Sequence, residues 1–139
     1  VNRFVLDASV SVAWFVDQPT PALAIRVRQS LAGGQRAIVP ALWHLEMANA
    51  FLVAERRGVL SAQDVHQSIG DIEQLLSSVI ETRNDLAPVR QSTEMGRSFR
   101  LAAYDAVYLG LAQREGFALA TLDQKLRAAA GQAGVAILR

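Results

Sequence analysis

At 139 residues, 51% of them hydrophobic and 19% charged, the chain has the size and composition of one domain able to enclose a core, expected to run over residues 1–139. Fourteen basic residues against thirteen acidic ones give a net charge of +1, which excludes the gross electrostatic signature of a nucleic-acid binder, and the absence of cysteine excludes disulfides, thiolate nucleophiles and zinc–thiolate sites. No apolar run approaches the roughly 18 residues of a spanning helix, and the start from Val1 to Asp7 lacks a signal peptide's longer apolar core, so a cytoplasmic protein with no membrane partner is expected.

Short apolar or β-branched runs alternate along the chain with longer segments of helical period. Phe4 to Leu6 reads as a strand and Ser9 to Val16 as the helix after it. Pro21 to Ala32 carries Leu23, Val27 and Leu31 on one face before Gly33 and Gly34 stop it. A strand from Ala37 to Val39 leads into a long helix from Ala41 to Arg57, closed by Gly58. Ser61 is placed to cap a helix reaching Ser77, and Val79 to Thr82 reads as the next strand. Helices follow from Pro88 to Phe99 and from Tyr104 to Glu115. Phe117 to Thr121 and Val135 to Leu138 read as strands around a short helix from Gln124 to Ala130. Strands separated by helices require crossover connections. The expected fold is therefore α/β: a three-layer α/β/α sandwich with a mostly parallel central sheet.

Four acids sit in or directly against apolar runs, where a carboxylate is costly unless something compensates it. Asp7 closes Phe4-Val5-Leu6, and Glu46 interrupts the run from Leu42 to Ala48. Asp105 opens Ala106-Val107-Tyr108-Leu109, and Asp123 follows the run from Ala118 to Leu122. Most other acids have polar or basic neighbours, as Glu55 has Arg56 and Arg57. Ligand crevices of open α/β sheets lie beyond the carboxyl ends of the strands, which is where Asp7 and Asp123 stand. Asp105 at the start of a helix and Glu46 in the second turn of another can lean toward the same rim. Four carboxylates in one cleft repel each other unless a cation neutralises them, and a hard oxygen-liganded ion such as Mg²⁺ or Mn²⁺ suits them best. Ser9, Asn49 and Thr121 are supporting polar groups: Ser9 is two residues beyond Asp7, Asn49 shares the helix face of Glu46, and Thr121 is two residues before Asp123.

Each acid also has a purely structural reading. Asp7 and Asp123 stand where helix caps stand, and Asp105 could satisfy orphan amides in a first helical turn. Ser9 could be an ordinary cap and Thr121 an ordinary strand residue. Glu46 resists this treatment, because its flanks are apolar and the nearest arginines, Arg56 and Arg57, lie more than two turns away. For phosphate contacts Arg97 and Arg100, just upstream of Asp105, and Lys125 are the candidates. His44 reads as partly buried or at an interface and His66 as a surface residue, neither of them catalytic. The adjacency of Trp14 and Phe15 on a short helix points one ring outward, toward an interaction face.

The blocks Val5-Leu6-Asp7-Ala8-Ser9, Pro40 to Asn49, Tyr104 to Ala112, and Leu119 to Leu126 together resemble the PIN domain, and within that superfamily the VapC toxins of toxin-antitoxin pairs. The resemblance implies a Mg²⁺- or Mn²⁺-dependent endoribonuclease that hydrolyses RNA phosphodiesters to 5′-phosphate and 3′-hydroxyl ends. It carries Asp7, Glu46, Asp105 and Asp123 onto the family's catalytic and metal-binding quartet, with Thr121 and Ser9 at the polar positions beside it. It also implies a homodimer and a small VapB-type antitoxin. The alternatives are a catalytically silent PIN-like binding module and a phosphoacceptor receiver domain. The latter wants paired acids after the first strand, where Asp7 stands alone.

Overall fold

In the computed structural model, which describes residues 2–139, four strands form one sheet in the order β3-β2-β1-β4, every pair parallel. The elements are β1 (Arg3–Leu6), α1 (Ala8–Val16), α2 (Ala22–Ala32), β2 (Arg36–Pro40), α3 (Ala41–Arg56), α4 (Ala62–Ser78), β3 (Ile80–Arg83), α5 (Val89–Phe99), α6 (Ala103–Glu115), β4 (Ala118–Ala120) and α7 (Gln124–Gln132). Consecutive residues of the central strands, Phe4, Val5 and Leu6 in β1 and Ala37, Ile38 and Val39 in β2, are all buried. Side chains alternate between the two faces of a strand, so both faces of the sheet are covered and the fold is an α/β/α sandwich. Helix α6 packs on β1, β2 and β4 and carries α5 and α7 beside it. Helices α1 and α2 pair, α3 lies on α1 and β2, and α4 on β3.

Local chemistry explains the boundaries. Ser61 accepts from the Asp64 amide while the Asp64 carboxylate accepts from the Ser61 amide, a reciprocal capping box that starts α4 where the sequence places it. Gly116 ends α6 at φ 70°, a left-handed conformation that costs glycine little, and turns the chain into β4.

The expected strand from Val135 to Leu138 is not formed. It is reduced to one parallel bridge, Ile137 to Leu119, in which the Leu119 amide donates to Ala136 and the Leu138 amide to Leu119. Strand β4 has only three residues, and its ends face β1, as the bond from the Asp7 amide to the Ala120 carbonyl shows. Only Leu119 is left to pair outward.

The order β3-β2-β1-β4 reverses direction at β1, so the topological switch point lies between β1 and β4. All strands being parallel, their carboxyl ends share one rim. Helix α3 begins at that rim directly after β2. Helix α6, which leads into β4, must start there to return the chain to the opposite edge.

Candidate active site

Leu6 is in register with Ala120, so Asp7 and Thr121 leave neighbouring strands side by side at the switch point. Asp7 occupies the N-cap position of α1 yet makes no side-chain cap bond. Its carboxylate instead accepts from two hydroxyls on the same oxygen: Ser9 Oγ donates to Oδ2 at 2.6 Å and Thr121 Oγ1 at 2.7 Å. An ionised carboxylate only accepts, so both hydroxyls donate to Asp7. Each hydroxyl in turn accepts a hydrogen bond from the loop after β4, Ser9 Oγ from the Leu122 amide and Thr121 Oγ1 from the Asp123 amide, both at 3.0 Å. Ser9 and Thr121 are thus neither a plain cap nor a plain strand residue. They hold the most deeply buried acid of the site, 5% exposed, in one orientation.

The other three acids arrive from separate elements. Asp123 spends Oδ1 on the Lys125 and Leu126 amides at 2.8 and 3.2 Å, so its capping reading is realised. That bonding fixes the carboxylate and leaves Oδ2 out of the cap. Asp105 lies in the first turn of α6, half-buried, and no side chain or backbone group among the described residues donates to it. Glu46, half-buried in the second turn of α3, accepts at Oε1 from the Tyr108 hydroxyl of α6 at 2.5 Å.

Electrostatics tie the four together. Burial pushes the Asp7 carboxyl above its ordinary value, opposed by the Ser9 and Thr121 hydroxyls and reinforced by the charge of Asp123. Burial also raises Glu46, against the Tyr108 bond, and the charges of Asp7 and Asp105 add to the rise. Asp105 is raised by burial and by Asp123 and Asp7, with Lys125 pulling the other way. Carboxylates that lift one another's pKa share a cleft. The ion pairs among the described residues, Arg3 with Glu81, Arg83 with Glu115, Arg90 with Glu94 and Arg114 with Asp85, leave all four acids unpaired.

This donor set fits a hard divalent cation in kind: carboxylate oxygens, no sulfur, and no arginine neutralising them. Among the described residues, however, no group of three or more His, Cys, Asp or Glu side chains stands as a ready-made metal cage. The quartet is an open group of acids rather than a closed coordination sphere.

The remaining candidates divide. Lys125 is exposed on the first turn of α7, yet its charge is felt at Asp105. Arg97 and Arg100 are exposed on α5 and its C-cap, a helix with no fully buried residue, and neither enters the hydrogen bonds or ion pairs of the rim. Asn49 is exposed and likewise takes no part in that network, although it stands one turn after Glu46. His44 is more exposed than expected, bonded to Thr82 Oγ1 at 2.8 Å, and His66 is on the surface. Trp14 and Phe15 are both partly buried and line one open surface groove with Ile25 and Arg28. The Trp14 indole donates to the Ala24 carbonyl at 2.7 Å under the Arg28 guanidinium, and Phe15 packs edge-on against Phe51. Tyr108 was not singled out by sequence, although its place one turn after Asp105 puts it on the same face of α6.

A family model described as PIN domain matches residues 4–132. The chain belongs to the PIN-domain family. PIN domains are generally metal-dependent nucleases, a chemistry consistent with an acidic rim whose carboxylates enter no ion pair among the described residues. The crystal structure of PAE2754 from Pyrobaculum aerophilum is similar in fold, with a TM-score of 0.68 at 22% identity over 92% of this chain and 84% of that one. No curated protein matches this PIN domain.

Proposed function

We propose that this single PIN-like domain is an endoribonuclease, the toxin of a VapBC-type toxin-antitoxin pair, which hydrolyses RNA phosphodiesters. The observation that carries the reading is that Asp7, Glu46, Asp105 and Asp123, four acids from remote segments at the carboxyl rim of the sheet, enter no ion pair among the described residues. A structural cluster of that kind would be expected to form ion pairs, as Glu115 does with Arg83 on the same molecule.

Asp7, Asp105, Glu46 and Asp123 would hold the cation. A bound Mg²⁺ or Mn²⁺ supplies the positive charge that lets the acids ionise together and makes water a competent nucleophile near neutral pH. Ser9 and Thr121 keep Asp7 in one orientation, and the α7 amides do the same for Asp123. Lys125, at the lip of the cleft, meets the phosphate backbone of a single-stranded or looped RNA. A homodimer, a VapB-type antitoxin and a cytoplasmic setting complete the proposal. In keeping with it, no helix among the described residues is long and apolar enough to cross a membrane.

The test is incubation of the purified protein, freed of any bound partner, with total cellular RNA in Mg²⁺ or in chelator, followed by mapping of new 5′ ends. Discrete Mg²⁺-dependent cuts that vanish in Asp105→Asn support the nuclease. Intact RNA together with no Mn²⁺ binding would instead favour a catalytically silent PIN-like module.

A further inference from the structure

Glutamate has three side-chain torsions, and confining one costs on the order of 1.5 kcal/mol or more in rotamer entropy unless something holds it. The neighbours of Glu46 on α3 cannot do so: Leu45 is 73% exposed and Asn49 points into solvent-accessible surroundings without a bond to it. The side chain that reaches Glu46 is Tyr108, 62 residues away, whose hydroxyl donates to Oε1 at 2.5 Å. Tyr108 is 0% exposed and part of the central core, so packing on all sides fixes where its oxygen sits. A phenol has one proton to give. It therefore secures one carboxylate oxygen of Glu46 and leaves Oε2 free.

We propose that Tyr108 is the positioning residue for Glu46, the group that turns a flexible glutamate on α3 into a fixed member of the acidic cluster. This rests on the nuclease reading above and adds to it a role for α6. That helix delivers Asp105 directly and, one turn later on the same face, holds the acid of α3 through a core tyrosine. One rigid element thus sets the spacing of two acids. A buried tyrosine that merely found an acceptor for its hydroxyl would have no such consequence, and the phenylalanine variant separates the two, because it keeps the ring and removes only the oxygen.

The experiment compares the parent, Tyr108→Phe, Glu46→Gln and the double variant as full chains, by calorimetric titration with Mn²⁺ in the absence of RNA and by crystal structures. Tyr108→Phe is expected to bind Mn²⁺ about 10-fold more weakly, with no further loss when it is added to Glu46→Gln, and to lower kcat for RNA cleavage without raising KM. If the phenylalanine variant does not fold, Tyr108→Met, which fills the core without a hydroxyl and leaves Glu46 itself unchanged, takes its place in the same titration. Affinity equal to the parent, or the same loss in both backgrounds, overturns the proposal. Should the parent itself bind no Mn²⁺, the nuclease reading is what fails, and the Tyr108→Phe crystal structure decides the positioning: Glu46 unmoved refutes it, and Glu46 spread over several rotamers supports it.

Discussion

Thr121 donates its hydroxyl proton to Asp7 Oδ2 at 2.7 Å although 114 residues separate the two in sequence. The pairing of Leu6 with Ala120 makes the bond possible, and the Asp123 amide, donating to Thr121 Oγ1, orients it. Thr121 is wholly buried, so removing its oxygen leaves two polar groups short of a partner. Thr121→Val, nearly isosteric, should cost about 1–3 kcal/mol in urea unfolding, whereas Thr121→Ser keeps the bond and costs less. A valine variant as stable as the parent would mean that the hydroxyl relay does not hold Asp7.

How much of this was legible in the sequence depends on the kind of interaction. The four acids stood out because a carboxylate inside an apolar run is visible in one dimension, and the alternation of strands and helices placed them at one rim. None of the four enters an ion pair among the described residues. The groups that orient them were legible only in part. Ser9 and Thr121 could be named from their spacing, but the bond from Thr121 to Asp7 depends on strand register, which the sequence does not display. Tyr108 looked like core because it is core, and its second role exists only where its hydroxyl reaches Glu46 of α3. Asn49 is exposed and makes no bond in that network, since helical periodicity gives a face and not a contact. The strand expected at Val135 to Leu138 has the right composition, but a three-residue neighbour leaves it a single point of attachment.

Asp7, Glu46 and Asp105 all have folded-state pKa values raised above the ordinary 3.8 for aspartate and 4.5 for glutamate, chiefly by burial. Between those ordinary values and the raised ones, the folded protein holds protons that the unfolded chain has released. Stability of the metal-free protein therefore falls as pH rises through that window and stays low above it. In chelator, Tm should rise on acidification from neutral pH toward the ordinary carboxylate range. Added Mn²⁺ should raise Tm at the alkaline end, by about 2.7 kcal/mol of stability at a hundredfold excess over Kd, and flatten the profile. A chelated protein whose Tm falls steadily on acidification over the same range contradicts the coupling.

Asp105 gives the sharpest trade between stability and function. It is half-buried, raised by Asp123 and Asp7, and receives no hydrogen bond among the described residues, so its charge costs stability and its loss breaks no bond. Asp105→Asn keeps the shape and removes the charge. In chelator its Tm should exceed the parent's by about 2–5 °C, while Mn²⁺ stabilisation and RNA cleavage disappear. Differential scanning fluorimetry with and without Mn²⁺ reads both. A lower Tm in chelator would show that Asp105 has a structural partner after all.

Among the basic candidates the structure favours Lys125 over Arg97 and Arg100, because only Lys125 acts on an acid of the cluster. A lysine at the lip of an anionic cleft lessens the repulsion that a phosphate backbone meets on approach, and its contact with one phosphate should appear in the salt dependence of binding. With cleavage blocked by Asp105→Asn, Lys125→Ala should weaken binding of a single-stranded RNA and reduce the slope of log K against log salt by about 0.7, the value for one phosphate contact on a single strand. Arg97→Ala, on the exposed face of α5, should change the slope by less. Fluorescence anisotropy over a salt series measures both, and the reverse ranking would route the RNA along α5 instead of past the N-terminus of α7.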